Sequence, residues 1–160
     1  MAQTIILSWC PGMSDAKIRT IFQRSLGSYR IATSLKNAGY SVAILDAIGY
    51  LTDGQIEKFL NEHIDKDTLW IGFNSTFISF NDTRFYEIIN NVYDYEKRKN
   101  TKIKILQGGA ITPFIVAFNI NDKVDHYILG NADISIVEVT NLIKNNELVS
   151  KVITSSFFNK

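Results

Sequence analysis

The sequence predicts an α/β fold: a single three-layer, doubly wound parallel sheet, flavodoxin-like (Rossmann-like), with strand order 2-1-3-4-5. Three observations lead there. Five short apolar runs alternate with amphipathic helical stretches along the chain. No hairpin signal joins neighbouring runs, so the strands pair in parallel through right-handed crossovers. The run Leu69-Trp70-Ile71-Gly72-Phe73 is apolar on both of its faces and ends abruptly in Asn74-Ser75-Thr76, as an inner strand beside the first strand would.

In order, Thr4 to Trp9 is the first strand, broken by Cys10-Pro11-Gly12-Met13-Ser14. Asp15 to Arg24 carries a weak apolar stripe and reads as a short helix or an ordered loop. Gly27-Ser28 interrupts, and Ser28 is placed to cap a helix with Ile31, Ala32, Leu35 and Ala38 on one face. Gly39 is suited to end that helix in the left-handed conformation. Val42 to Leu45 is the second strand. Thr52 and Gln55 have capping-box spacing, followed by the stripe Ile56, Phe59, Leu60 and His63. After the strand at Leu69 to Phe73, a helix from about Asp82 buries Phe85, Ile88, Ile89 and Val92. The charged run Asp94 to Lys99 is its solvated end.

Ile103 to Leu106 is the fourth strand, and its interleaved lysines leave one face thinly covered. Thr112-Pro113 starts a short helix, with Thr as cap and Pro in the first position. His126 to Leu129 is the fifth strand. Asn131 or Asp133 then caps a last helix with Ile136, Val139, Leu142 and Ile143 inward. Residues 1–146 form one α/β domain, and 147–160 an extension or linker. Within that extension, Val152 to Phe158 reads as an extra strand or the start of a connection.

A chain of 160 residues supports one good core and not two ordinary domains. The formal charge of +1 argues against a dedicated nucleic-acid surface. No apolar run reaches the length of a membrane span, and the first residues lack a secretion-signal pattern. One cysteine, Cys10, forms no internal disulfide and holds no iron–sulfur cluster, so a cytoplasmic setting is expected. The composition leaves a homodimer open.

The fold binds ligands outside the carboxyl ends of its strands, at the switch point between strands one and three. A dinucleotide fingerprint is absent there: Trp9 to Ser14 has one glycine, and Pro11 removes an amide donor. Asp46 stands where a ribose-binding acid would. Ser8, Gly12 and Ser14 make only a thin phosphate loop for a flavin. No catalytic constellation is present: His63 falls on a helix, and His126 starts a strand at the end away from the cleft. What remains is an ordered set of small residues at successive strand ends: Gly12, Ser75 and Thr76, Gly108 and Gly109, Gly130 and Asn131. They leave room for a ligand and expose backbone amides to it.

Together with Leu26 to Val42, Ile71 to Thr76, Gln107 to Ala110 and Asp125 to Asp133, this set resembles the cobalamin-binding domain found before the radical S-adenosylmethionine domain of many enzymes. The resemblance implies a corrin over the strand ends and a nucleotide tail in a cleft beside the sheet. It implies that Ser75 and Thr76 contact the tail, that Gly108 and Gly109 give it clearance, and that Gly130 and Asn131 flank the last loop. The lower-axial histidine of a D-x-H-x-x-G motif is missing, since no histidine precedes His63. The C-x-x-x-C-x-x-C cluster motif is missing too. The chain thus resembles a detached front domain that binds a corrinoid without its own histidine, with a radical S-adenosylmethionine domain downstream or in trans. A rival reading is a cofactor-free interaction domain that kept the fold.

Overall fold

A computed structural model describes residues 1–9, 25–76, 78, 82–95, 98, 102–110, 112–118 and 121–154. Cys10, Pro11, Gly12, Phe77 and the stretch 15–24, expected as a short helix or an ordered loop, lie outside them. Six strands form one parallel sheet: β1 (Thr4–Ser8), β2 (Val42–Leu45), β3 (Trp70–Asn74), β4 (Lys104–Gly108), β5 (His126–Leu129) and β6 (Val152–Thr154). Their order is β2-β1-β3-β4-β5-β6, the predicted order with one strand added at the edge. The added strand pairs Ile128 with Ile153, so this part of the carboxyl-terminal stretch is sheet.

The inner strands are buried on both faces because helices cover both. On one face α2 (Asp53–His63) and α3 (Thr83–Asp94) close over Ile5, Leu7, Ile71, Phe73 and Ile105. Phe85 of α3 lies edge-on to Trp9 and Phe73, at ring separations of 5.5 Å and 6.0 Å. On the other face α1 (Leu26–Asn37) and α5 (Ala132–Lys144) pack against each other and over Ile6, Trp70, Leu106 and Ile128. A short α4 (Thr112–Phe118) follows β4.

Local signals decide most element ends. The Thr52–Gln55 capping box is formed on both sides. The Asp82 carboxylate accepts from the Phe85 amide, 3.3 Å away, and starts α3. Gly39 has φ +89° just past α1.

Four expectations are corrected. Helix α1 begins two residues before Ser28, with Ser25 in the capping position, because the Ser28 hydroxyl is engaged inside the protein. Asn131 occupies the capping position of α5, yet its side chain makes no capping bond, and the Asp133 carboxylate turns instead to Arg30. Within the charged run after α3, Arg98 packs against the protein rather than standing in solvent: its guanidinium lies 4.1 Å over the Tyr93 ring and 3.6 Å from Asp125, while Glu96, Lys97 and Lys99 lie outside the described residues. Strand β4 is well covered after its exposed first residue, Lys104.

Candidate functional site

At the carboxyl ends of β1, β3, β4 and β5 the sheet opens into a groove of about 410 Å³. It runs between the sheet and the pair α1 and α5. That size falls in the ordinary range for small-molecule sites. Ile6, Trp70, Leu106 and Ile128 form its floor on the sheet, while Ile31 and Ile136 form walls on the helices. Thr76, Gly108, Gly109, Gly130 and Asn131 stand among the residues toward the strand ends.

Two glycines shape this groove. Gly72 lies on the same face of β3 as Trp70, two residues on, and a Cβ there would come within 2.8 Å of the indole. Its missing side chain lets the ring lie along the strand. The indole N–H is fixed by donation to the Thr140 hydroxyl on α5, at 3.0 Å. Gly109 has φ +124°, and a Cβ there would sit 2.7 Å from the Thr76 amide nitrogen. Only glycine lets the turn after β4 press this close to the turn after β3.

Asn74 ends β3 and organises the floor around the switch point. Its Nδ2 donates to the Ser25 hydroxyl at 2.6 Å and to the Ser28 hydroxyl at 2.9 Å. Its Oδ1 accepts from the Thr76 amide at 2.9 Å and the Thr76 hydroxyl at 2.6 Å. All four positions of the amide are used. The Thr76 N–H requires an oxygen opposite it, which sets the amide orientation. Ser8 of β1 joins by donating to Ser28. The network ties β1, β3 and the first turn of α1 into one unit.

Of the residues predicted from the sequence, Thr76, Gly108, Gly109, Gly130 and Asn131 border the groove. Ser75 does not: it is fully buried, its hydroxyl donates to the Gly108 carbonyl at 2.9 Å, and Thr112 of α4 lies 3.1 Å away. Alternation along the chain sends Asn74 and Ser75 to opposite faces. Gly12 lies outside the described residues. Sequence reasoning missed Gly72, Arg30, Ile31 and Ile136 as lining residues. Gly72 carried a usable signal, since a glycine inside an apolar strand marks a close approach.

Charge is concentrated at the mouth. The Arg30 guanidinium on α1 pairs with the Asp133 carboxylate on α5, spanning the two helices. Neither histidine is near. His63 stacks on Phe59, at 4.2 Å between rings, on the far face. His126 begins β5 at the amino end of the sheet, where its Nδ1 lies 2.9 Å from the Ser150 carbonyl oxygen. Asp46 receives the Tyr29 hydroxyl. Trp9 packs on Gly49 and Phe85 across the sheet, leaving the groove clear of it. Among the described residues, no three His, Cys, Asp or Glu side chains gather as a metal site, and no helix is long and apolar enough to cross a membrane.

No family model matches the sequence, and no curated protein does. Solved structures similar in fold include two radical S-adenosylmethionine enzymes. One is the radical S-adenosylmethionine methyltransferase TsrM from Kitasatospora setae, with tryptophan substrate and a SAM analog bound; the likeness has a TM-score of 0.63 at 15% identity. The other is OxsB, a cobalamin-dependent S-adenosylmethionine radical enzyme with aqua-cobalamin and S-adenosylmethionine bound, at a TM-score of 0.62 and 15% identity. Each alignment covers 92% of this chain, which spans 27% of the first and 20% of the second. The likeness establishes the Rossmann-like fold.

Proposed function

We propose that this chain is a corrinoid-binding module that takes the nucleotide tail of cobalamin into the groove and supplies no axial histidine. The observation that carries the reading is the groove itself: an open slot of about 410 Å³ at the carboxyl ends of the inner strands, where this fold receives ligands. The fold likeness to TsrM and OxsB supports it. The residues present fit a large, partly apolar ligand. Gly72 and Gly109 have no side chain at the floor and at the inner edge of the mouth. Aliphatic walls from Leu106, Ile128 and Ile136 suit an apolar tail end, and Thr76 and Asn131 offer polar groups nearer the strand ends.

Thr76, Gly108, Gly130 and Asn131 are the residues that would border the bound tail at the mouth. Ser75 serves from behind, holding the ends of β3 and β4 together through the Gly108 carbonyl. Bound cobalamin would supply a cobalt centre for alkyl-transfer or one-electron chemistry, which is the cofactor's own. The partner of such a module is a radical S-adenosylmethionine domain, downstream or in trans.

The test is incubation with hydroxocobalamin followed by desalting and a visible spectrum. Near-stoichiometric retention of the corrin bands is expected. Protein that emerges colourless overturns the reading, and a flavin spectrum in the protein as purified would replace it.

A further inference from the structure

The inner groove offers few partners to a buried polar atom. Its lining among the described residues is apolar there: Ile6, Trp70, Leu106 and Ile128 on the floor, Ile31 and Ile136 on the walls. The polar groups nearest to them are already committed to one another. The Trp70 indole N–H donates to Thr140, and the Thr140 hydroxyl donates to the Ile136 carbonyl at 2.6 Å. Asn74 spends its whole amide on Ser25, Ser28 and Thr76. Gln107 borders the groove and has a buried amide without a partner among the described residues, but its side chain alternates with that of Leu106 along β4. Its cross-strand neighbours Phe73 and Tyr127 belong to the opposite face, so that amide is not in the groove. The backbone groups of the floor strands are spent in the sheet. Among the described residues that line the groove, the charged ones are Arg30 and Asp133 at the mouth, which hold each other.

We infer that the groove selects among corrinoids by the base at the end of the tail, favouring benzimidazole over a purine such as adenine. This deepens the corrinoid reading and rests on it. The two bases are close in size and shape, so sterics separates them little. A purine brings an exocyclic amine and further ring nitrogens. Buried against these walls, they lose water and gain no partner. A benzimidazole with methyl substituents presents hydrocarbon in the same places. An apolar pocket that meets one or two unanswered polar groups discriminates by roughly 10- to 100-fold. Ile31 is the residue to probe, because it is half-buried on α1 and can be exchanged without opening the core.

The experiment is equilibrium dialysis of the full chain against three probes: hydroxocobalamin, its adenine-tailed counterpart, and cobinamide, which has no nucleotide tail. The benzimidazole form should bind roughly 10- to 100-fold more tightly than the adenine form, and cobinamide should bind more weakly than the benzimidazole form. Equal affinity for the two tailed forms, or preference for adenine, overturns the selection while the corrinoid reading stands; cobinamide binding as tightly as the benzimidazole form overturns the selection and the placement of the tail in the groove, leaving corrinoid binding alone. Failure of all three to bind overturns both. In Ile31→Gln, a new amide on the wall should narrow the ratio between the tailed forms. An unchanged ratio in a variant with the parent circular dichroism spectrum counts against selection by these walls.

Discussion

The Asn74 amide donates to the Ser28 hydroxyl at 2.9 Å, linking the last residue of β3 to the first turn of α1. Ser28 in turn accepts from Ser8 of β1. The switch point of the sheet, where the groove opens, is therefore held by side chains as well as by the strand ladder.

Asn74→Ala removes four hydrogen bonds and leaves buried hydroxyls without their partner. Orphaned buried polar groups are the costly part of such a change, and a loss of about 2–4 kcal/mol is expected. Urea unfolding measures it. A shift below about 0.5 kcal/mol, the size of an ordinary surface change, would show that the network contributes nothing. Asn74→Asp should also destabilise, because the two donors facing the serine hydroxyls are replaced by an acceptor.

Gly109 and Gly39 both have positive φ, +124° and +89°, but differ in their surroundings. Nothing lies within 4 Å of a Cβ at Gly39, whereas at Gly109 the Thr76 amide nitrogen is 2.7 Å away. Gly39→Ala should cost about 1 kcal/mol from backbone strain alone. Gly109→Ala should cost about 2–3 kcal/mol, the clash being with backbone that must shift. Thermal unfolding of the two variants ranks them. The reverse order would contradict the close approach of the two turns.

Gln107 is fully buried, and both amide atoms lack a partner among the described residues. Methionine has nearly the same length and no hydrogen-bonding demand. Gln107→Met should therefore be neutral or stabilising by about 1–2 kcal/mol. A loss of more than about 1 kcal/mol in urea unfolding would reveal that the amide is satisfied, for instance by a buried water.

His126 is buried at the amino end of β5, and burial holds its pKa below the ordinary 6.5 against the raising effects of the Ser150 carbonyl and Asp125. In the unfolded chain the imidazole takes a proton as pH falls through 6.5, while the native protein resists it. The unfolded state then binds more protons, so stability is full above 6.5 and falls as pH drops toward the native pKa. Below the native value no further loss arises from this group. Urea midpoints from pH 7.5 down to 5, compared with those of His126→Gln, isolate the effect. Parallel profiles in the two proteins would remove His126 from the account.

Helix faces and the Thr52–Gln55 box were readable because each is a local pattern with a fixed period or spacing, and the order of the first five strands followed from their alternation with helices. The site was readable only in outline. Small residues at strand ends pointed to the rim where the groove opens, but Ser75 was read with Thr76 although side chains alternate between faces. Ser28 was read as a cap because hydroxyls favour that position, and its long-range bonds to β1 and β3 decided otherwise. Arg30, Ile31 and Ile136 line the groove through the packing angle of α1 and α5 on the sheet, which no local pattern encodes. Gly72 was the overlooked clue: it is the residue without a side chain in the apolar run opened by Leu69.

The bonds among Ser8, Ser25, Ser28 and Asn74 fasten the chain on both sides of the stretch 10–24. Those anchor points are set by the sheet and the first turn of α1, so Ser28→Ala would release both flanks at once, cutting the links to Ser8 and to Asn74.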